Sequence, residues 1–420
     1  MQLNAWEYPV PPIECTEEWR EPMPRFRIGP GVLVTAAFIG PGTVITASRA
    51  GAEHGHGLLW TVVLAVIGAI VLQSLAAKIG IEQRQGLGES IRAALTGSVW
   101  LSPAICLVIF AIGVGNAAYQ TGNLTGAVSG LTFLSGGHQG YWLLFTLIVV
   151  GLLISLGNYR ALHRSLVALV ILLSVAFLYT ALRTLPDRGQ MVSAFVQQRF
   201  DPSDLTLILA MIGTTIVPYN LFLHASRAAD NWSDTPIEEA IRQSNRDTLV
   251  AISLGGLVTA AILMTASSAF FEKRAELGSV IDLAGQLKPT LGAASTSAFA
   301  LGLFAAGLTS SVTAPIATAY AICGCMGWKP DPSSKSFRSI AMAVLLIGAG
   351  SAFLFGRAPS QVIVFAQVAN GILLPGVAWF VLVVAIRASP GKHVFPKLLA
   401  AMITLVISLL GIWRILTLFI

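Results

Sequence analysis

Charged residues in this chain are gathered into short segments. Between them run apolar stretches near residues 29–53, 57–78, 99–123, 141–158, 162–184, 203–228, 247–271, 295–325, 338–356, 360–386 and 396–419. A stretch of about 18 or more apolar residues can cross a hydrocarbon core at a rise of 1.5 Å per residue. Backbone groups in lipid have no water to bond, so each segment must satisfy its own N–H and C=O groups, and helices do this. The pattern predicts an all-α polytopic membrane protein with about eleven transmembrane helices.

Two of the eleven stretches carry Pro and Gly where a helix would ordinarily fail. The first span reads Gly40-Pro41-Gly42-Thr43, and the sixth reads Thr215-Ile216-Val217-Pro218-Tyr219-Asn220. If spans one to five and six to ten form two repeats, each half opens on its broken helix. Five is odd, so the second half must be inserted upside down. Discontinuous helices at matching places in inverted repeats point to a binding site at the membrane midplane, built from freed carbonyls and half-helix ends. The plainer alternative is a pair of structural kinks, since Pro is tolerated in membrane helices. The expected organisation is an N-terminal tail over 1–26, a transporter core over 27–386 with repeats near 27–184 and 203–386, and an eleventh helix over 396–419. Residues 40–43 and 215–220 are expected to be unwound and to face each other.

Composition narrows the class. Over 420 residues the mean hydropathy is +0.75, with 55% hydrophobic and 11% charged residues, against about 25% charged in an ordinary soluble domain. That excludes a soluble enzyme. A membrane enzyme is also disfavoured: there is no His-Glu-x-x-His, no Gly-x-Ser-x-Gly and no intramembrane carboxylate pair, and no cofactor is expected. The net charge of +6 is spread one to three residues per loop, so nucleic acid is not an expected partner. The expected partners are the lipid bilayer and a small ion or small-molecule substrate, and the oligomeric state is left open.

With the N-terminus inside, seventeen of the 26 Lys and Arg residues fall on the cytosolic side, among them Arg25, Arg84, Arg92, Arg227, Arg338 and Lys392. The positive-inside rule then sets the orientation, N-terminus in and C-terminus out, in a bacterial inner (plasma) membrane. Residues 1–26 lack a basic region followed by an apolar run, so they read as a cytosolic tail rather than a signal peptide. Cys15, Cys106, Cys323 and Cys325 form no spaced framework and read as free thiols. Cys323 and Cys325, two apart on a helix, point different ways and make a poor metal pair.

At the broken segments the sequence resembles the Nramp family of divalent metal transporters. The resemblance is carried by Arg27-Ile28-Gly29-Pro30-Gly31, Gly40-Pro41-Gly42-Thr43, Gly51-Ala52-Glu53-His54-Gly55 and Leu58-Leu59-Trp60 in the first span. It continues with Leu72-Gln73-Ser74-Leu75-Ala76-Ala77-Lys78-Ile79-Gly80 in the second, the run from Gly213 to His224 in the sixth, and Ala306-Gly307-Leu308-Thr309-Ser310-Ser311-Val312-Thr313 in the eighth. It covers roughly residues 27–386 and implies a LeuT-like fold of two inverted five-helix repeats plus one extra helix.

The departures from the family pattern fall on the metal site that the resemblance implies. Family members usually read Asp-Pro-Gly-Asn at the first break, and Gly40 and Thr43 stand in the two ligand positions. The usual Met of the sixth helix is Val217, although a backbone carbonyl can survive at Thr214. The His after the proline is Tyr219, and the later His is kept as His224. The third helix, acidic in typical members, reads Asn116-Ala117-Ala118-Tyr119-Gln120-Thr121-Gly122-Asn123. Ala47 and Arg49 replace further acids after the first break.

What remains is oxygen. The candidate substrate-binding groups are the carbonyls of Gly40 and Thr214, the hydroxyls of Thr43 and Tyr219, and the amides of Asn220, Gln120, Asn123, Gln367 and Asn370, with Val217 in the vacated sulfur position. Gly40, Thr43 and Thr214 are the candidate metal contacts. A bare divalent ion loses tens of kcal/mol on desolvation by Born estimates, so a neutral pocket suits an ion that keeps much of its water, as Mg²⁺ tends to, or a small organic molecule. Asn and Gln inside spans can equally serve as bonds between helices. Thr309, Ser310 and Thr313 are candidates for a Na⁺ site by fold analogy, or for caps on backbone carbonyls. His224 is the candidate proton or gating group, or a neutral packed imidazole.

The preferred reading is a secondary transporter of the Nramp-related class that moves a metal cation, Mg²⁺-like or broadly divalent, by alternating access. The alternatives are a Na⁺-coupled or uncoupled carrier of a small organic solute, and a non-transporting membrane sensor. A sensor is expected to carry an output domain, and this sequence runs only to Ile420.

Overall fold

The computed structural model describes residues 39–156, 160–185, 189, 204–271, 279–356, 359–388 and 394–417, and every regular element among them is helical. In chain order the main helices are α1 (Pro41–His54), α2 (Leu59–Gln83), α3 (Leu87–Leu95), α4 (Leu101–Ser135), α5 (Gln139–Leu156), α6 (Arg160–Arg183) and α7 (Leu205–Thr215). They continue with α8 (Pro218–Asn231), α9 (Ile237–Ala266), α10 (Ser295–Met326), α11 (Lys335–Phe355), α12 (Pro359–Ala388) and α13 (Val394–Leu416). Among the described residues ten stretches are long and apolar enough to cross a membrane, with α7 and α8 counted together. The eleventh expected span is represented by α1. Its earlier half, like the expected tail over 1–26 and Cys15, lies outside the described residues.

Helix existence follows the apolar runs, while several ends do not. α9 begins at Ile237, ten residues before the expected start at 247, because the charged turn Glu238-Glu239-Ala240-Ile241-Arg242 continues the helix beyond the apolar window. α4 runs to Ser135 instead of 123, through Gly, Thr and Ser residues that carry no charge.

The unwound segments are also shorter than expected. Gly40 is extended at φ −102° and ψ −175°, and Pro41 already starts α1, so residues 41–43 are helical. In the sixth span α7 reaches Thr215, Ile216 and Val217 leave the helical region, and Pro218 starts α8. The reason is common to both: proline at the first helical position needs no N–H partner there, and its fixed φ suits the helix it opens.

The broken sixth span is the most enclosed element. In its apolar window 94% of residues are buried, against 17% in α5. α5 turns Leu144, Phe145, Ile148 and Leu152 outward, and α13 does the same with Leu398, Met402, Leu405 and Leu409. Outward apolar rows of this kind are what a lipid-facing helix needs. Close helix approach around the centre depends on missing side chains. A Cβ on Gly213 of α7 would stand 2.0 Å from the Gln367 carbonyl of α12, and one on Gly126 of α4 would stand 2.3 Å from the Pro41 ring. Small residues that let backbones meet are how membrane helices pack without a hydrophobic drive between them.

Candidate functional site

The two breaks meet. The Thr43 and Thr214 hydroxyls, 171 residues apart in sequence, lie 2.8 Å from each other in a buried hydrogen bond. Thr214 also lies in the last turn of α7, four residues before Pro218, which has no N–H, so its carbonyl lacks the helical donor it would otherwise have. At the first break the Gly40 carbonyl accepts from the Val44 N–H at 3.2 Å, which anchors the first turn of α1. Opposed half-helix ends, a hydroxyl pair and an undonated carbonyl therefore share one buried place.

Around Gly40 the neighbours are polar. A Cβ at this position would be 2.9 Å from Ser310 Oγ, 3.6 Å from the Tyr119 hydroxyl and 3.7 Å from Asn123 Oδ1. Gly42, two residues on, lets the Gln367 amide lie against the backbone, its nitrogen 2.3 Å from where a Cβ would sit. Tyr119 meets Tyr219 of α8 edge to face, with ring centroids 5.6 Å apart. Ser310 Oγ and both amide atoms of Asn123, Gln367 and Asn220 are buried with no hydrogen-bond partner among the described residues. Buried polar groups are usually paired, so this concentration marks a place prepared for something polar.

The remaining candidates sit around this centre in distinct ways. Gln120 donates to the Ser311 carbonyl of α10 at 3.1 Å and packs where Gly348 of α11 has no side chain. Asn370 is buried with both amide atoms unpartnered among the described residues, its Oδ1 beside Gly115 of α4. Val217 is fully buried in the apolar core. His224 lies further along α8, its Nδ1 2.9 Å from Gln73 Oε1 of α2. On α10 the Thr309 hydroxyl donates to the Ala305 and Ala306 carbonyls, and the Thr313 hydroxyl donates to the Thr309 carbonyl. Ser310 alone of that trio faces Gly40.

Tyr119 was missed by the sequence reading, although it stands four residues from Asn123 and so on the same helical face. Gln73 was missed too, since nothing local marks an amide in α2 as the partner of an imidazole in α8.

Among the described residues no acid joins the set. Arg49 is paired with Glu53 on α1, and Lys78 lies 3.6 Å from Glu82 on α2. Among the described residues no group of three or more His, Cys, Asp or Glu side chains is placed to hold a metal ion. Cys323 and Cys325 are buried free thiols and Cys106 an exposed one. Among the described residues the groups gathered at the breaks are hydroxyls, amides and carbonyls, none of them charged.

Known proteins similar to this chain give its family and its fold. The family model described as natural resistance-associated macrophage protein-like, Nramp, matches residues 31–419. The chain is 28% identical over 347 residues to the divalent metal cation transporter MntH of Deinococcus radiodurans, covering 81% of this chain and 77% of that protein. It is 28% identical over 393 residues to MntH of Bradyrhizobium diazoefficiens, covering 89% and 84% respectively. Among solved structures it superposes on the Eremococcus coleocola manganese transporter, crystallised with an aromatic bis-isothiourea compound, with a TM-score of 0.73. There the identity is 22%, and 91% of this chain and 84% of that one are covered. It also superposes on inward-facing Mhp1 with a TM-score of 0.55 at 14% identity, covering 93% and 91%. These neighbours show an all-α fold of the LeuT type, and the family match over residues 31–419 places this chain in the Nramp family.

Proposed function

We propose that this Nramp-family membrane transporter carries a divalent cation by alternating access through a neutral, oxygen-lined pocket at the two helix breaks. The ion keeps much of its water, as Mg²⁺ does, and the N-terminus is cytosolic. The observation that carries this reading is the meeting of Thr43 with Thr214 beside buried, unpartnered amides and hydroxyls, with no carboxylate in the set. A neutral pocket does not offset the removal of an inner water shell from a divalent ion, but it supplies hydrogen-bonding partners to the shell itself. Without sulfur, imidazole or carboxylate at the breaks, there is no group to prefer a soft transition metal over Mg²⁺ or Ca²⁺. The MntH relatives, named for divalent metal cations, support the ionic substrate class.

Uptake into proteoliposomes with a panel of Mg²⁺, Mn²⁺, Ca²⁺ and amino acids tests the proposal. Saturable Mg²⁺ uptake without preference for Mn²⁺ is expected. Uptake of an organic solute with no movement of any divalent cation would overturn it. That second reading has one observation in its favour, the Tyr119–Tyr219 pair at the pocket, whose rings can stack on a planar solute.

A further inference from the structure

Buried hydrogen bonds tie the chain between α9 and α10 to the part of α1 that lies away from the break. The short 3₁₀ helix Val280–Leu287 carries Gln286, which is 1% exposed. Its amide nitrogen donates to Ser48 Oγ of α1 at 2.8 Å and to the Leu283 carbonyl of its own turn at 2.8 Å. Its amide oxygen accepts from the Thr265 hydroxyl of α9 at 3.0 Å. The Leu283 carbonyl can only accept, so it fixes the amide nitrogen on the Ser48 side. Ser48 and Thr265 are buried too. One side chain, 238 residues from Ser48, thus joins three elements.

The same end of the molecule holds α1 and the start of α7, one half of each broken span. His54 at the end of α1 has its Nδ1 3.4 Å from Asp204 Oδ1 just before α7, and His56 has its Nδ1 3.1 Å from Ser267 Oγ just after α9. A cytosolic N-terminus places this end outside. Every residue of α1 from Pro41 to Ser48 is buried, so α1 is covered from this end down to Thr43. A carrier that works by alternating access must uncover it in another state. Separating α1 from residues 280–287 breaks the Ser48 bond and leaves the Leu283 and Thr265 bonds in place. The freed Ser48 hydroxyl can then bond the Val44 carbonyl one turn back, as serine often does in helices. The 280–287 helix stays anchored from behind, where Thr290 shares a 2.6 Å hydroxyl bond with Thr180 of α6.

We infer that Gln286 latches the outer half of this transporter shut by holding α1 against the 280–287 helix, and that its bond to Ser48 is released whenever the site opens outward. The inference rests on the alternating-access reading above and adds to it the residue that sets the balance between the closed and open states on this side. A hydrogen bond present in only one of two states shifts their ratio by its net worth, about fivefold.

The test reads the exposure of α1 directly. In cells expressing the full chain with its four native cysteines replaced, Val44→Cys sets a thiol one turn from Ser48 on the same face of α1, at a position 1% exposed. A membrane-impermeant maleimide added outside should modify it slowly. Ser48→Ala and Gln286→Met each remove the latch bond, and each should speed that modification about fivefold. Thr290→Val removes the tie to α6 and keeps the Ser48 bond, so it should leave the rate unchanged. Two latch variants guard against one failing to fold, and gel filtration and thermal melting check each. Unchanged rates in the folded latch variants overturn the latch. So does an equal rise in all three variants, the result if Gln286 only stabilises the fold. Modification of no chain from outside means that this side stays closed, and overturns alternating access together with the latch. Faster modification in a chain that takes up no divalent cation overturns the cation reading and leaves the latch standing.

Discussion

The two breaks use the same local device in unlike surroundings. At the first, extended Gly40 precedes Pro41; at the second, extended Val217 precedes Pro218. Around Gly40 stand Ser310, Tyr119 and Asn123, and Gln367 lies against Gly42. Both breaks are buried, and at the second Ile216 and Val217 belong to the apolar core, with Ile216 packed where Gly68 of α2 has no side chain. Proline decides where each helix restarts, and the neighbours decide what the break is for. The first break presents side-chain chemistry. The second contributes the Thr214 hydroxyl, the Asn220 amide, unpartnered among the described residues, and the Tyr219 ring, beside a packed joint at Ile216 and Val217.

The sharpest way to break this comparison is to fill a glycine on each side. Gly213→Ala at the second break sets a Cβ 2.0 Å from the Gln367 backbone carbonyl, which cannot rotate away. It should cost about 3 kcal/mol or more and remove most monodisperse protein in gel filtration. Gly42→Ala at the first break meets the same residue through its side-chain amide, which can turn aside. It should cost only about 1 kcal/mol by the same overpacking scale, read as a small fall in melting temperature. Equal losses at the two sites would erase the distinction between a packed joint and an adaptable pocket.

A second experiment restores the family chemistry. Gly40→Asp combined with Thr43→Asn and Val217→Met returns a charge, an amide and a sulfur to the breaks, and Mn²⁺ affinity by calorimetry should rise at least about tenfold, a gain of about 1.4 kcal/mol. Ser310 must shift to admit the aspartate, since its Oγ is 2.9 Å from the new Cβ. Val217→Met alone should do little, because that position is buried among apolar neighbours. No gain in the triple variant would mean that the breaks do not align on a metal site.

The bond that joins the breaks should show smaller, coupled effects. Thr43→Val and Thr214→Val each remove one half of the 2.8 Å contact. Their double-mutant cycle in thermal unfolding should give a coupling of about 1 kcal/mol, the net worth of a buried neutral hydrogen bond. Additive losses would show that the hydroxyls act separately.

The smallest effect is expected at His224. Its Nδ1 is engaged by Gln73, and neither break brings an acid to relay a proton. Substrate uptake should proceed with little acidification of the liposome interior, and His224→Ala should leave that low level unchanged. Strong acidification abolished by the substitution would restore His224 as a coupling group.

Much of the fold was legible because in lipid a helix must be satisfied within its own segment. Apolar run length therefore reports a span directly, and Pro41 and Pro218 report the restarts. Legibility failed where the signal was not apolar, as at the charged start of α9 and the polar end of α4. In the site, the contact residues Thr43 and Thr214 were readable from the breaks themselves. The partners were not. Tyr119 and Gln120 are adjacent in sequence, yet Tyr119 reaches Gly40 and Tyr219 while Gln120 bonds α10 and packs against α11. Likewise Ser310 faces the break, and Thr309 and Thr313 spend their hydroxyls on their own helix.

The sequence by itself determined the spans, the two restarts and the absence of acids from the two broken segments 40–43 and 215–220, because run length, proline and residue type are local properties of the chain. Only the tertiary structure decided which neutral groups converge. Each helix can rotate about its axis by one residue, or about 100°, without changing its own hydrogen bonds, so the facing is set by close contacts with other helices. In this protein those contacts are made at glycines such as Gly126 and Gly213, whose partners are far away in sequence.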